Sequence, residues 1–170
     1  MKKRTVYFGV IILLVLGGMT SCGRETNGPG DAPQGSDQEQ AAAAFRAFFD
    51  YLAAGDYRRA AAHFGGSYDV LRSYNPGADP EDRAALLKQA CLGNGFQCLK
   101  VDEIAAVREN TPGEWLITAS FLTDQGRVFS RGPCCGAEEG VQSAETEFTF
   151  RVKRQASGEY LVMDLPVYVP

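Results

Sequence analysis

The sequence predicts an α+β fold, with helices in the first half of the folded region and an antiparallel sheet in the second. Before Gly95 the apolar residues recur at the three- and four-residue spacing of amphipathic helices. After Gly95 they alternate with polar residues, as in strands that bury one face. Turn sequences separate the alternating segments. This order favours helices packed on one face of the sheet.

The first predicted helix begins at Ser36 and Glu39, a capping-box pair, and ends at Gly55. Its apolar stripe consists of Phe45, Phe48, Phe49 and Leu52. Asp56 is the expected N-cap of a second helix, which ends before Gly65. Residues 67–74 add one or two helical turns. Four successive apolar positions on one stripe indicate a helix that packs against a core.

A further helix is expected to begin at Asp79 as N-cap, with Pro80 in the first helical position, and to end at Gly93. Four strands follow in the prediction, at residues 97–108, 114–123, 146–154 and 159–165. Their inner faces carry Trp115, Ile117, Ala119, Phe121, Phe148, Phe150 and Val152. The sheet therefore has about four strands, and its core is aromatic.

The first residues have the order of an export signal. Lys2, Lys3 and Arg4 precede an apolar run at residues 6–18. That run is shorter than the roughly 20 residues that a membrane-spanning helix needs. We therefore expect a signal peptide at residues 1–21, a flexible tether rich in glycine and proline at residues 22–37, and one folded domain at residues 38–170.

The segment Met19-Thr20-Ser21-Cys22 resembles the lipobox of bacterial lipoproteins. The resemblance implies that Cys22 is acylated and becomes the new N-terminus after cleavage. The protein would then be anchored by lipid to a membrane of the bacterial cell envelope and face the extracytoplasmic side. An ordinary secretory signal and an uncleaved anchor are the alternatives.

The charge of the chain argues against nucleic acid as a partner. The formal net charge is −4, from 17 basic and 21 acidic side chains. Removal of Lys2, Lys3 and Arg4 with the signal leaves 14 − 21 = −7. An acidic domain without a basic patch has no electrostatic footprint for phosphates.

Three segments resemble the NTF2-like cone fold, and specifically bacterial lipoprotein members of that group. They are FFDYLAAGDYRRAAAHF at 48–64, GEWLITASF at 113–121 and FTFRVKRQASGEYLVMDL at 148–165. The resemblance implies a long helix and a curved antiparallel sheet around a cone-shaped cavity. It fits a non-catalytic binding or scaffold domain, which takes a small apolar ligand in the cone or a protein of the envelope.

The alternative function is that of a small isomerase or dehydratase. The resemblance implies that such enzymes use a buried Asp or His and a Tyr at the wall of the cone. The weak candidates for the base are His63 and Asp164, and those for the donor are Tyr57, Tyr160 and Tyr168. His63 also fits an ordinary position in the last turn of a helix, and Asp164 fits the polar end of a strand. We expect no cofactor.

Four cysteines remain if Cys22 carries lipid: Cys91, Cys98, Cys134 and Cys135. An even number of exported cysteines favours disulfides, and four cysteines allow three pairings. We favour the two pairings that join Cys91 and Cys98 to the adjacent pair at 134–135, because a bond between neighbouring cysteines is strained. The spacings are unlike those of zinc sites or of redox-active C-x-x-C motifs, so we expect no metal.

Overall fold

The computed structural model describes residues 35–132 and 144–170. The helices in these residues are α1 (Asp37–Ala53), α2 (Tyr57–Ala62), α3 (Asp69–Tyr74) and α4 (Arg83–Gly93). The strands are β1 (Lys100–Thr111), β2 (Glu114–Leu122), β3 (Phe148–Arg154) and β4 (Tyr160–Val162). The helices precede a four-stranded antiparallel sheet of order β1-β2-β3-β4. The predicted α+β fold with helices on a curved sheet is confirmed.

Helix α1 begins at the predicted capping box. The N–H of Glu39 donates to Ser36 Oγ at 3.3 Å, and the N–H of Ser36 donates to Glu39 Oε2 at 2.8 Å. Two backbone donors at the helix start are thereby satisfied. Gly55 follows the end of the helix with φ 73°, a left-handed conformation that costs glycine little. The buried residues of α1 are Ala41, Phe45, Phe48, Phe49 and Leu52.

The helix predicted to start at Asp79 begins at Arg83 instead. The side chain of Asp79 accepts the N–H of Glu81 at 2.9 Å, and its carbonyl accepts the N–H of Asp82 at 3.2 Å, which makes residues 79–82 a turn. Asp82 is the N-cap, because its carboxylate accepts the N–H of Ala85 at 2.9 Å. Two aspartates three residues apart offer two starting positions, and the second starts α4.

The sheet is a meander whose inner face packs against α1. Strand β1 begins later than predicted, because the chain at Gln97 pairs with the C-terminal segment and donates its N–H to the carbonyl of Val167 at 2.7 Å. Three register shifts interrupt the pairing of β1 with β2. Such irregularities increase the twist of a sheet and bend it. The buried inner-face residues are Ile117, Ala119, Phe121, Phe148, Phe150, Val152, Tyr160 and Val162.

The predicted signal peptide and most of the predicted tether, including Cys22, lie outside the described residues. The described residues fall within one compact unit, Pro33–Pro170. The division into signal peptide, tether and folded domain stays a prediction from the sequence. Among the described residues, no helix has both the length and the apolar character that crossing a membrane requires. Acylation of Cys22 and location at a membrane therefore stay predictions from the sequence.

Candidate functional site

The space between α1 and the sheet is occupied by aromatic side chains. The ring of Phe49 lies 4.9 Å from that of Phe45, 4.8 Å from that of Phe121 and 5.1 Å from that of Phe150, measured between centroids. Phe48 stacks on Phe64 at 5.6 Å. Phe45, Phe48 and Phe49 have no exposed surface. The concave face of the sheet is therefore the hydrophobic core, with rings in close contact.

Two buried polar groups lie at the end of this core near the start of α1. The hydroxyl of Tyr160 and the indole N–H of Trp115 have no hydrogen-bond partner of acceptable geometry. Burial, and secondly the negative charge of Asp37, raise the pKa of Tyr160. Trp115 and Asp37 are near enough to influence this pKa, but neither is aligned for a hydrogen bond with the hydroxyl. Asp37 also forms an ion pair with Arg154, with 3.7 Å between Oδ2 and Nη1.

His63 lies at the end of α2, beside α1. Its carbonyl accepts the N–H of Val162 at 2.9 Å, and its ring stacks on Tyr51 with 5.3 Å between centroids. The imidazole is half-buried in a shallow groove of about 400 Å³, whose walls include Gln40, Glu159 and Tyr160. His63 therefore occupies an ordinary position at the end of a helix. From this residue the chain continues into the contact with β4.

Asp164 lies on the solvent side of the sheet rather than at the wall of the core. Its carboxylate accepts the backbone N–H of Arg151 at 2.7 Å and the Nη2–H of the same residue at 2.6 Å. Arg151 is exposed between Phe150 and Val152, which point inward. Asp164 follows the last residue of β4, and its carboxylate accepts a hydrogen bond from the backbone of β3. Asp164 therefore ends the pairing of β3 with β4, and its carboxylate is paired with the side chain of Arg151.

The two candidate bases are thus not brought together. His63 is held beside α1, whereas Asp164 pairs with Arg151 on the other side of the sheet. Of the candidate donors, Tyr160 has a buried hydroxyl, Tyr57 is half-buried and Tyr168 is 38% exposed. Within residues 35–132 and 144–170, no three His, Cys, Asp or Glu side chains are arranged to hold a metal ion.

A different surface brings aromatic side chains together, and we call it the tyrosine groove. Its lining residues are Tyr74, Gly93, Asn94, Gly95, Tyr168, Val169 and Pro170, around a volume of about 570 Å³. The rings of Tyr74 and Tyr168 are 6.1 Å apart between centroids and inclined at 42°. Their exposed fractions are 48% and 38%. Both rings contact Phe96, whose own side chain is buried.

Backbone pairing holds the two sides of the tyrosine groove together. Residues 95–97 run antiparallel to residues 167–169, and the N–H of Val169 donates to the carbonyl of Gly95 at 2.9 Å. The amide of Asn75, at the end of α3, donates to the Asn94 side chain at 2.9 Å. Gly95 has φ 80°, and a Cβ there would lie 2.3 Å from the carbonyl oxygen of Val169. The floor of the groove is therefore backbone, and only glycine fits at Gly95.

None of the seven residues that line the tyrosine groove has a charged side chain. Partial burial, and secondly the adjacent Tyr74, raise the pKa of Tyr168 above its ordinary value near 10. Its hydroxyl thus stays protonated at neutral pH and is available as a hydrogen-bond donor or acceptor. The groove therefore offers a ligand aromatic surface and the hydrogen-bonding phenol group of Tyr168.

A disulfide closes the loop that contains Gly93 and Gly95, and it contradicts the favoured pairing. Cys91 is bonded to Cys98, with 5.4 Å between their Cα atoms. The prediction that these two residues are joined to the adjacent pair was therefore wrong. Cys91 follows Ala90, the last buried residue of α4, and the turn at Gly93 and Gly95 brings the chain back, so Cys98 is within reach of Cys91. Cys134 and Cys135 lie outside the described residues.

The tyrosine groove is not predicted by the sequence. Tyr74 ends the helical turns predicted at residues 67–74, and Tyr168 is predicted only as a candidate donor for an enzyme. Their meeting depends on the contact of residues 95–97 with residues 167–169, about 70 positions apart in the chain. The sequence contains a weak signal for this surface, because a tyrosine next to a turn is often only partly buried.

Comparison with known proteins yields little for function. No family model matches the sequence, and no curated protein matches it. A solved structure from Streptomyces avermitilis, described as a "putative dehydratase from the NTF2-like family", is similar in fold. The identity is 15%, the TM-score is 0.42, and the match covers 78% of this chain and 97% of the other. A likeness at this level carries no argument about activity.

Proposed function

We propose that the protein is a non-catalytic binding domain of the bacterial cell envelope, which binds a protein partner through the tyrosine groove. The observation that carries this proposal is the contrast between the core and the surface. Fully buried phenylalanines fill the space under α1, where a small ligand of the cone would have to enter. The exposed Tyr74 and Tyr168 instead border an open groove.

Tyrosines in this arrangement have the properties of binding hot spots. Their rings offer large apolar contact area, and their hydroxyls form hydrogen bonds at the rim. Phe96 supports both rings from behind, so little side-chain entropy remains to be lost on binding. Val70 lies one helical turn before Tyr74 and is 47% exposed, which extends the apolar surface along α3. A cluster of exposed apolar side chains typically marks an interaction surface.

One observation favours the alternative enzymatic function: His63 and the candidate donor Tyr160 line the same groove, but the hydroxyl of Tyr160 is buried. Asp164 is bound by Arg151 on the solvent side, and His63 stacks on Tyr51 beside α1. A general base needs a reacting group within hydrogen-bond reach and a second group to orient it. The described surroundings of the two residues offer each a structural role instead.

Site-specific photo-crosslinking in the cells that make the protein tests the binding proposal. A photoreactive phenylalanine analogue replaces Tyr74 in one full-length variant and Val128 in a control variant. Val128 is 49% exposed but lies in the turn region after β2. We expect irradiation to link position 74, and not position 128, to one discrete partner. Equal crosslinking at both positions, or none at position 74, would contradict the proposal.

We also propose that Cys22 anchors the protein through acyl chains, with the residues between Cys22 and the N-cap Ser36 as a tether that lets the domain stand off the membrane. The support is the lipobox-like sequence that follows the basic and apolar segments. In the Cys22→Ala variant, the protein should move from the membrane fraction to the soluble extracytoplasmic fraction. Retention of that variant in the membrane fraction would defeat the lipoprotein assignment without affecting the binding proposal.

A further inference from the structure

We propose that the Cys91–Cys98 disulfide is a redox-sensitive switch. Its reduction releases the C-terminal segment, residues 165–170, from the loop that joins α4 to β1, residues 94–99, and so dismantles the tyrosine groove. Release of the segment is independent of the proposed function, whereas its effect on partner binding rests on that function. Three features carry the proposal: what the loop holds, where the disulfide lies and how short the cross-linked stretch is.

The loop holds the C-terminal segment by backbone hydrogen bonds. The N–H of Gln97 donates to the carbonyl of Val167 at 2.7 Å, and the N–H of Val169 donates to the carbonyl of Gly95 at 2.9 Å. Within the described part of the chain, these two are the backbone hydrogen bonds that residues 165–170 form. Tyr168 lies between the two bonded residues of the segment. The place of its ring in the tyrosine groove therefore depends on the conformation of the loop.

The disulfide fixes the conformation of that loop. It joins Cys91, in α4, to Cys98, the residue that follows Gln97, with 5.4 Å between the Cα atoms. Across the base of the loop, the N–H of Phe96 donates to the carbonyl of Ala90 at 3.2 Å. When the disulfide opens, this hydrogen bond and the burial of Phe96 are left to hold the loop. The loop then gains conformational freedom that the covalent bond had removed.

The disulfide lies where a thiol from solution can approach. Both cysteines are half-buried, and both line a second groove, of about 410 Å³, together with Leu52 and Tyr57. Leu92, inside the cross-linked stretch, is 70% exposed and borders the same groove, so it offers a reductant an apolar contact. Exposed disulfides are more open to thiol–disulfide exchange than disulfides sealed in a core.

The reductant is a molecule or protein with two thiols, and the exchange balances in atoms and electrons. A thiolate of the reductant attacks one sulfur of the disulfide, the S–S bond breaks, and a mixed disulfide forms while the other cysteine leaves as a thiolate. The second thiol of the reductant then attacks the mixed disulfide and displaces the remaining cysteine. Cys91 and Cys98 gain two electrons and the two thiol protons of the reductant, which itself becomes a disulfide.

Reduction should leave the rest of the domain folded. The core under α1 is formed by side chains of the helices and the sheet, such as Phe49 and Ile117, which are fully buried. The cross-link spans only seven positions of the chain, and a short loop restricts the unfolded chain less than a long one does. The expected response is therefore local release of the C-terminal segment rather than unfolding.

Amide hydrogen exchange of the full-length chain in detergent, with dithiothreitol as the dithiol, tests this proposal. Mass tagging of free thiols reports the reduction of Cys91 and Cys98. We expect dithiothreitol to reduce the bond without denaturant. The amides of Gln97 and Val169 should then exchange about tenfold faster or more, because their acceptors are no longer held in place. Peptides from α1 should keep their exchange rates.

Two variants control for the other thiols and for the reductant itself. Cys134→Ser/Cys135→Ser keeps the Cys91–Cys98 bond and should respond to dithiothreitol as the wild type does. Cys91→Ala/Cys98→Ala should show fast exchange at Val169 without dithiothreitol, and addition of dithiothreitol should not change that rate.

Three results would overturn the proposal. They are a bond that stays oxidised in the folded protein under excess dithiothreitol, a reduction that leaves the exchange at Val169 unchanged, and a reduction that unfolds α1 together with the C-terminal segment. Photo-crosslinking from position 74 is a separate measurement. Its loss on reduction supports the effect on binding. If the oxidised protein crosslinks no partner, the proposed function is wrong, while the exchange rates still decide whether the switch exists.

Discussion

The aromatic core under α1 and the tyrosine groove are both built from rings in contact, yet they differ in what surrounds the rings. Phe49 is fully buried and contacts Phe45, Phe121 and Phe150 at centroid distances near 5 Å. Tyr74 and Tyr168 contact each other and Phe96, but each exposes more than a third of its surface. The core under α1 therefore stabilises the fold, whereas the tyrosine groove leaves apolar surface available to a partner.

The largest effect is expected from a cavity in the core. Phe49→Ala should lower the free energy of unfolding by about 3–5 kcal/mol, since it removes a fully buried ring and its neighbours cannot close the space. Urea denaturation followed by circular dichroism measures the change. Phe49→Leu, which keeps most of the volume, should cost less. If Phe49→Ala destabilised the protein no more than Tyr74→Ala does, the distinction between the two clusters would be lost.

The next effect concerns the disulfide that closes the loop containing Gly93 and Gly95. Replacing both Cys91 and Cys98 by Ala should lower the free energy of unfolding by about 2.5 kcal/mol, the chain-entropy value for so short a loop. Because Gly93 to Gly95 lie inside that loop, the variant should also bind the groove's partner more weakly. Peptide mapping under non-reducing conditions should recover Cys91 linked to Cys98. A link from either residue to position 134 or 135 would refute this pairing.

A third effect separates a buried tyrosine from the exposed ones. Burial raises the pKa of Tyr68 to about 12, although Arg83 and Arg72 lower it in part, and its hydroxyl has no hydrogen-bond partner. In the unfolded chain the hydroxyl of Tyr68 loses its proton near pH 10. The free energy of unfolding therefore keeps the full contribution of Tyr68 below pH 10 and falls between pH 10 and pH 12. At pH 11 the loss from this residue alone is on the order of 1 kcal/mol.

Tyr68→Phe is the control for the alkaline effect. The variant keeps the ring under Arg83, whose guanidinium lies 5.6 Å from the ring centroid, and removes only the hydroxyl. Its stability should equal or exceed that of the wild type at pH 7, because the hydroxyl lacks a partner. Its urea midpoint should also fall less between pH 9 and pH 11. Parallel curves for the two proteins would mean that Tyr68 does not ionise late in the folded state.

The smallest effect on stability is expected in the tyrosine groove. Tyr74→Ala should change the free energy of unfolding by less than about 1 kcal/mol, because nearly half of the side chain is already exposed. The same change should abolish capture by the proposed partner. Urea denaturation and binding measured on one preparation give both values. A large loss of stability with intact binding would assign Tyr74 to the core instead.

The helices and the sheet could be read from the sequence because their signals are local. Ser36 and Glu39 start α1 as predicted, and Asp56 caps α2 through the N–H of Arg59 at 3.2 Å. The inner-face positions 117, 119, 121, 148, 150 and 152 are all buried. Alternation and capping depend on residues within a few positions of one another, which is why they survive without tertiary information. The wrong start of α4 arose where Asp79 and Asp82 competed for the same role.

The α+β class and the aromatic core can be read from the sequence alone, and export with lipid at Cys22 is predicted from it. The pairing of Asp164 with Arg151, the Cys91–Cys98 bond and the contact of Tyr74 with Tyr168 appear only in the folded chain. The physical reason is sequence separation. Periodicity reports which side of an element faces the core, whereas a site depends on which distant elements lie side by side, and only the packed chain fixes that.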